Sequence, residues 1–382
     1  MVSLFTDVAS EMLYPVMPVY LKSIQFSILS IGILEGVAEA TAGLSKGYFG
    51  RLSDNTGRRL PFIRGGYMLS AFSKPMMAFF TYPVYIFFVR TMDRLGKGMR
   101  TGARDAMLSD ETTSETKGTV FGFHRSMDTL GAVLGPLAAL LFLYFHPGKY
   151  KTLFYLAFFP GILAICFTFF IREKQKPLPV IRKTRFLEFF KYWKESPPPY
   201  RRLVAGLLIF ALFNSSDVFL LLKIKEAGYN DMITIGAYIF YNLFYALFAY
   251  PLGIQADRWG LKRIFIFGLA ILVIVYAGMA VNRNLYFFFA LFLLYGIYAA
   301  ATEGVAKAWI SNISSKKDTA TAIGTYTAFQ SICTLVASSL SGYLWFRFGS
   351  LATLSVIALG VCVVIVYFLL IKGKMPEHRL AG

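Results

Sequence analysis

Cysteine and histidine are scarce, with three of each among 382 residues. Cys166, Cys333 and Cys362 lie inside apolar stretches, and an odd, widely spaced set gives neither a disulfide framework nor a metal site. They read as small apolar side chains. His124, His146 and His378 are too scattered to hold a metal. A nucleotide loop and a nucleophile elbow are also missing, so the sequence points to no enzyme and no cofactor. Charge is thin: 16% of residues, against ~25% in an ordinary soluble domain. Acidic residues are the scarcer sign, 21 against 39 basic, for a net charge of +18. In a soluble chain that excess would indicate nucleic acid. Here apolar residues dominate, at 56%, with a mean hydropathy of +0.56, so the bases are expected in loops on one side of a membrane and no nucleic-acid partner is expected.

Apolar runs near 20 residues recur along the whole chain, about the length an α-helix needs to cross a bilayer. A transmembrane barrel would show ~10-residue alternating strands instead. The runs and their breakers predict twelve membrane helices, at 3–22, 31–52, 60–80, 83–108, 117–145, 150–171, 202–223, 232–254, 262–281, 284–312, 318–347 and 350–371. The first run holds Asp7 and Glu11 and lacks a basic leader, so it reads as a span and not a cleaved signal. Residues 172–201 form a basic linker between an N-terminal bundle, 1–171, and a C-terminal bundle, 202–382. Within the linker, Phe186 to Trp193 mixes aromatic and charged residues and reads either as an amphipathic surface helix or as a plain tether. With the N-terminus cytoplasmic, the inner connections carry about three times as many Lys and Arg as the outer ones. Both termini are therefore expected in the cytoplasm, in a cell inner membrane.

The two halves repeat. Gly50, Asp54 and Gly57 follow the second span; Gly253, Asp257 and Gly260 follow the eighth, 203 residues later. Thr101–Ala106 aligns with Glu303–Ala308, and Gly122 with Gly324, at an offset of 202. A sustained offset means a duplicated six-helix unit. Two such units joined by a long loop are the layout of a transporter with its site between the halves, near mid-membrane.

The segment Gly50-Arg51-Leu52-Ser53-Asp54-Asn55-Thr56-Gly57-Arg58-Arg59 resembles the signature loop of the major facilitator superfamily, departing from it at Asn55, where a base is usual. The second copy supplies that base as Arg258 but has Leu261 in place of the first Arg. The resemblance implies gating roles for Gly50, Asp54, Gly57, Arg58, Arg59, Gly253, Asp257, Arg258 and Gly260. Gly122, Gly131, Gly135 and Pro136 resemble the antiporter motif of drug–proton exporters in that superfamily, although Ala139-Leu140 replaces its closing Gly-Gly. Phe5–Met12, Asp93–Gly98, Arg104–Ala106 and Gly122–Asp128 resemble a group of prokaryotic efflux or multidrug-type permeases. The implied fold class is an all-α membrane protein, with twelve helices in two pseudo-symmetric six-helix bundles.

Among the charges within the spans, nine bases and nine acids stand out, fifteen of these eighteen in the N-terminal half. Each unpaired charge at mid-membrane costs at least ~2.5–3.5 kcal/mol, so these must line water or pair with one another. Span 4 is densest. At ~100° per residue, Arg90, Asp93, Arg94, Lys97, Arg100, Arg104 and Asp105 occupy one arc facing the cavity or its neighbours. Asp128 and Arg94 come out at similar depth and are expected to approach in one access state. Asp7, Glu11, Glu35, Glu39, Arg94 and Asp128 are the candidate coupling residues, with His124 and Arg125 in the surrounding charge network. A carboxylate beside a cation is ionised, and parting the two favours proton uptake. The C-terminal half is aromatic and mostly neutral. Its candidate substrate residues are Asp217, Tyr238, Tyr241, Asn242, Tyr245, Tyr298, Glu303 and Tyr326.

These readings lead to a monomeric secondary transporter, most directly a proton-coupled exporter of an amphipathic or drug-like compound. An organic-anion carrier with Arg94, Lys97 and Arg125 as its clamp is the alternative. A sensor or assembly factor on a transporter fold would instead carry large soluble segments.

Overall fold

The computed structural model describes residues 1–14, 16–26, 28–173 and 188–371; side chains at 18, 19, 22, 28, 29, 31, 32, 35, 231 and 232 lie outside the description. The structure is 85% helical, and the described residues contain no strand. The first half comprises α1 (Val2–Glu11), α2 (Met17–Ser23), α3 (Ile28–Thr56), α4 (Leu60–Met76), α5 (Pro83–Asp110), α6 (Lys117–Phe145) and α7 (Tyr150–Phe169). A short 3₁₀ turn (Glu188–Lys191) and α8 (Tyr192–Glu195) precede the second half. That half comprises α9 (Pro198–Phe213), α10 (Val218–Glu226), α11 (Asp231–Trp259), α12 (Leu261–Val281), α13 (Leu285–Ile313) and α14 (Thr319–Leu370).

Helix starts follow local chemistry. Proline opens α5 and α9, where its missing N–H costs nothing. Asn230 and Asn284 cap α11 and α13 through their side chains. Gly260, at φ 96°, turns the chain between α11 and α12. Gly349, at φ 81°, breaks α14 into the two helices expected as spans 11 and 12.

Seven described helical stretches are long and apolar enough to cross a membrane, and they contain spans 5–12. The first four expected spans are not among these seven. Two expected spans are each divided in two: span 1 into α1 and α2, span 7 into α9 and α10 around Asn214–Asp217. A break at membrane depth needs other partners for its polar groups. Here Ser215 Oγ lies 3.3 Å from the Tyr276 hydroxyl, and Asp217 accepts from Tyr241 at 3.0 Å.

In the linker, 174–187 lies outside the described residues, including Phe186 of the expected amphipathic stretch. Its described part is neither a surface helix nor a tether. Phe189 is fully buried against α3 at Gly47, Trp193 meets Phe329, and Tyr192 meets Tyr200. Arg51 reaches Glu195 at 3.3 Å and Glu188 at 3.8 Å. The segment is docked on the end of the bundle that carries the Gly50–Arg59 loop, the basic end.

The halves meet chiefly where α6 packs on α11 and α3 on α14. These are equivalent helix pairs, and glycine makes both close. A Cβ at Gly122 would strike the Ala249 carbonyl, and one at Gly324 the Lys46 carbonyl. Gly50 faces Ala320 as Gly253 faces Gly118.

Candidate functional site

The signature aspartates close the basic end reciprocally. Asp54 accepts from the backbone N–H of Thr321 at 2.6 Å and from its hydroxyl at 2.7 Å. Asp257 accepts from the N–H groups of Gly118 and Thr119 at 2.7 and 2.6 Å, and from the Thr119 hydroxyl at 2.6 Å. Each carboxylate thus sits at the N-terminus of a helix in the opposite half, where free N–H groups and the helix dipole favour negative charge. The flanking bases differ. Arg59 is buried and pairs with Asp54, with Asp110 3.7 Å away, whereas Arg58 is exposed. On the second copy Arg258 is exposed, and Lys262 donates to the Ile371 carbonyl at 3.0 Å. Ser109 and Ser311, equivalent residues, hydrogen-bond to each other, and Lys117 donates to the Ser311 carbonyl at 2.8 Å.

Between the halves lies a cavity of about 250 Å³. It is lined by Asp7, Glu11, Lys97, Arg100, Thr101, Arg104, Arg125, Asp128, Thr129 and Ala132 from the first half, and by Tyr238, Tyr241, Asn242, Tyr245, Glu303 and Lys307 from the second. Twelve of these stood out in the sequence by charge or ring, and Asn242 by its amide. Thr101, Thr129 and Ala132 did not, because small residues on helices carry no pattern of their own. Tyr298 and Tyr326, expected on the cavity, are instead buried in the packed core of the second half, where Tyr298 meets Tyr295 at 5.4 Å. Asp217 supports the Tyr241 hydroxyl and is not a lining residue.

The charge arc of α5 divides among several partners. Asp93 turns to α4, accepting from Ser70 at 2.6 Å with Lys74 3.7 Å away, and lies 3.6 Å from Arg90. Arg94 reaches Glu39 of α3 at 3.2 Å and not Asp128, so the expected pair is not formed in this conformation. Asp128 lies instead among His124, Arg125 and Arg104, at 3.6, 3.8 and 4.0 Å. His124 is held from its other ring nitrogen by Ser3 at 2.7 Å. Fully buried Asp105 meets Arg104 at 3.0 Å and, across the seam, Lys307 at 2.8 Å. Arg125 bridges the halves too: it pairs with Glu303 and donates to the Tyr245 hydroxyl while staying near Asp128.

Some membrane charges pair, and others line the cavity. Among the described residues, Asp7, Glu11, Lys97 and Arg100 have no oppositely charged atom within 4.0 Å. All four line the cavity. The side chain of Glu35 lies outside the description.

The antiporter-like glycines split between two tasks. Gly122 lies at the seam, against α11. Gly131 and Gly135 let α1 lie against α6, where a Cβ would meet Asp7 Cβ and the Val8 carbonyl respectively. Their closeness fixes the backbone that carries Asp7 and Glu11. Pro136 sits inside α6 beside Gly135 and is buried.

The model of the Major Facilitator Superfamily matches residues 1–241 and 231–381. The chain is 32% identical over 349 residues to an uncharacterized MFS-type transporter of Methanocaldococcus jannaschii, covering 90% of this chain and 86% of that protein. A multi-drug resistance efflux pump homolog of Lactococcus lactis is 21% identical, over 90% of this chain and 87% of that one. Among solved structures, the human organic anion transporter MFSD10 superposes with a TM-score of 0.80 at 15% identity, over 96% of this chain and 97% of that chain. With its duplicated helical halves and central cavity, the chain belongs to the Major Facilitator Superfamily and is a multi-pass membrane transporter.

Proposed function

We propose that this protein is a monomeric, proton-coupled exporter of an amphipathic compound in the cell inner membrane, with its basic end and both termini in the cytoplasm. The basic end is the natural cytoplasmic side by its excess of Lys and Arg. On that reading the reciprocal Asp54 and Asp257 contacts shut the cytoplasmic entrance in this conformation.

The observation that carries the reading is the double engagement of Arg125. One guanidinium lies near Asp128 in its own half and is bound by Glu303 and Tyr245 in the other. Opening the seam withdraws Glu303 and Tyr245 from Arg125. The partners of Arg125, and with them its hold on Asp128, then change with the access state, which links alternating access to a proton. The resemblance to the Lactococcus lactis efflux pump homolog supports the export direction.

The test is transport by the purified protein in proteoliposomes with an imposed pH gradient. Asp128→Asn should abolish concentrative, gradient-driven transport and retain exchange of labelled for unlabelled compound without a gradient. Concentrative transport by Asp128→Asn with unchanged pH dependence would remove Asp128 from the coupling step.

A further inference from the structure

We infer that the central cavity is built for a zwitterion, a small molecule bearing both a cationic group and an anionic group. This rests on the transport reading above and adds the substrate class to it.

The four cavity charges without ion partners are two acids on α1, Asp7 and Glu11, and two bases on α5, Lys97 and Arg100. Each pair lies about one helical turn apart, so each presents a short stripe of one sign. Arg100 is the most telling of them. It is only 3% exposed, yet its Nε and Nη1 have no hydrogen-bond partner. Its guanidinium carbon lies 4.7 Å from the centre of the Tyr67 ring, which covers one face and leaves the planar edge to serve an acceptor. A buried guanidinium with unused donors is costly unless something fills that edge. Elsewhere in the first half Asp93, Asp105 and Asp128 take up bases around them.

Two acids and two bases on one cavity, with no pair within ion-pair distance, leave both signs of charge unsatisfied. A cation alone would serve the acids and strand Arg100; an anion alone would do the reverse. A zwitterion serves both. Its cationic group competes with protons for Asp7 and Glu11, which is the exchange an antiporter requires. Tyr238 and Tyr241 supply aromatic surface for an apolar body. The small volume of the cavity favours a compact ligand.

The probe is a matched series of aromatic amino acids, their methyl esters and their N-acetyl derivatives, with thermal stabilisation of the detergent-purified full chain as readout. The zwitterions should stabilise the protein at concentrations at least tenfold below those needed for the ester, which lacks the anion, or the acetyl derivative, which lacks the cation. Arg100→Gln should erase the advantage over the ester, and Lys97→Gln should reduce it. Asp7→Asn should erase the advantage over the acetyl derivative. If the Arg100 variant does not fold, the wild-type ranking and Lys97→Gln still decide. Esters or acetyl derivatives that stabilise as well as the zwitterions overturn the inference, as does a zwitterion advantage that persists in the variants. Proton-driven transport of a purely cationic dye would uphold the coupling reading while this inference fails. Zwitterion binding with pH-independent flux would do the opposite.

Discussion

Asp105 and Lys307 hold equivalent positions in the two halves and meet across the seam, with Lys307 Nζ 2.8 Å from Asp105 Oδ2. Duplication would ordinarily place like residues face to face, as it does with Ser109 and Ser311. Here one copy is an acid and the other a base, so the symmetry-related pair attracts and draws the halves together.

Lys307→Gln should therefore weaken the closed basic end. Asp105 would keep Arg104 but lose its bond to the other half, at a cost of about 1–3 kcal/mol. The check is the labelling rate of a single cysteine placed at the basic end, in a background free of Cys166, Cys333 and Cys362. Labelling should rise several-fold. An unchanged rate would mean that Lys307 does not hold the seam.

The two signature aspartates should behave alike. Asp54→Asn and Asp257→Asn each remove a charge from a helix N-terminus in the opposite half, a loss of about 0.5–2 kcal/mol by the scale of helix caps. Turnover should fall in both, while ligand affinity in detergent stays within about twofold, an energy change below 1 kcal/mol. A matching loss of affinity would place Asp54 in the binding site.

Glu303→Gln should move the pH dependence of transport. Asp128 faces Arg104, Arg125 and His124, and Arg125 is shared with Glu303. Without Glu303, Arg125 loses its ion pair to the second half and keeps Asp128 as its carboxylate neighbour. The pH at half-maximal transport should then differ from that of the unaltered protein. An unchanged profile would mean that the Arg125–Glu303 pair takes no part in coupling.

Gly253→Val should disfavour closure more than any exposed substitution. Its side chain would enter the space taken by Gly118 and Gly122 of α6. Overpacking of this kind costs about 1–3 kcal/mol. Because only the closed seam needs the contact, the balance should move toward opening at the basic end, read by the same cysteine labelling.

Phe189→Ala should destabilise the folded chain. The ring is fully buried between Gly47 and Phe190, and removing such a ring costs about 3–5 kcal/mol. The melting temperature in detergent should fall by several degrees. An unchanged melting temperature would mean that the linker segment adds nothing to the bundle.

Helix number, the duplication and the family motif were all written locally. Membrane helices satisfy their own backbone, so a long apolar run reports a span without knowledge of its neighbours. Gly50, Asp54, Gly253 and Asp257 could be recognised as a repeated pair from their spacing alone. The aromatic and charged residues of the cavity were legible for a similar reason: charge is rare at membrane depth and needs an explanation wherever it appears.

Partnership was not legible. Arg94 and Asp128 come out at similar depth by helical rise, yet Arg94 turns to Glu39, because direction around a helix axis is set by the helices packed against it. Tyr298 and Tyr326 have the composition of cavity residues and became core, since a tyrosine on a helix reports neither which neighbour it faces nor whether space remains there. Lys307 is one of few membrane charges in its half, and its partner Asp105 comes from the other half. Local sequence is enough to tell which segments cross the membrane and which of them carry charge. Which charges pair, and which four face the cavity without an ion partner, depends on how helices distant in sequence are turned toward one another.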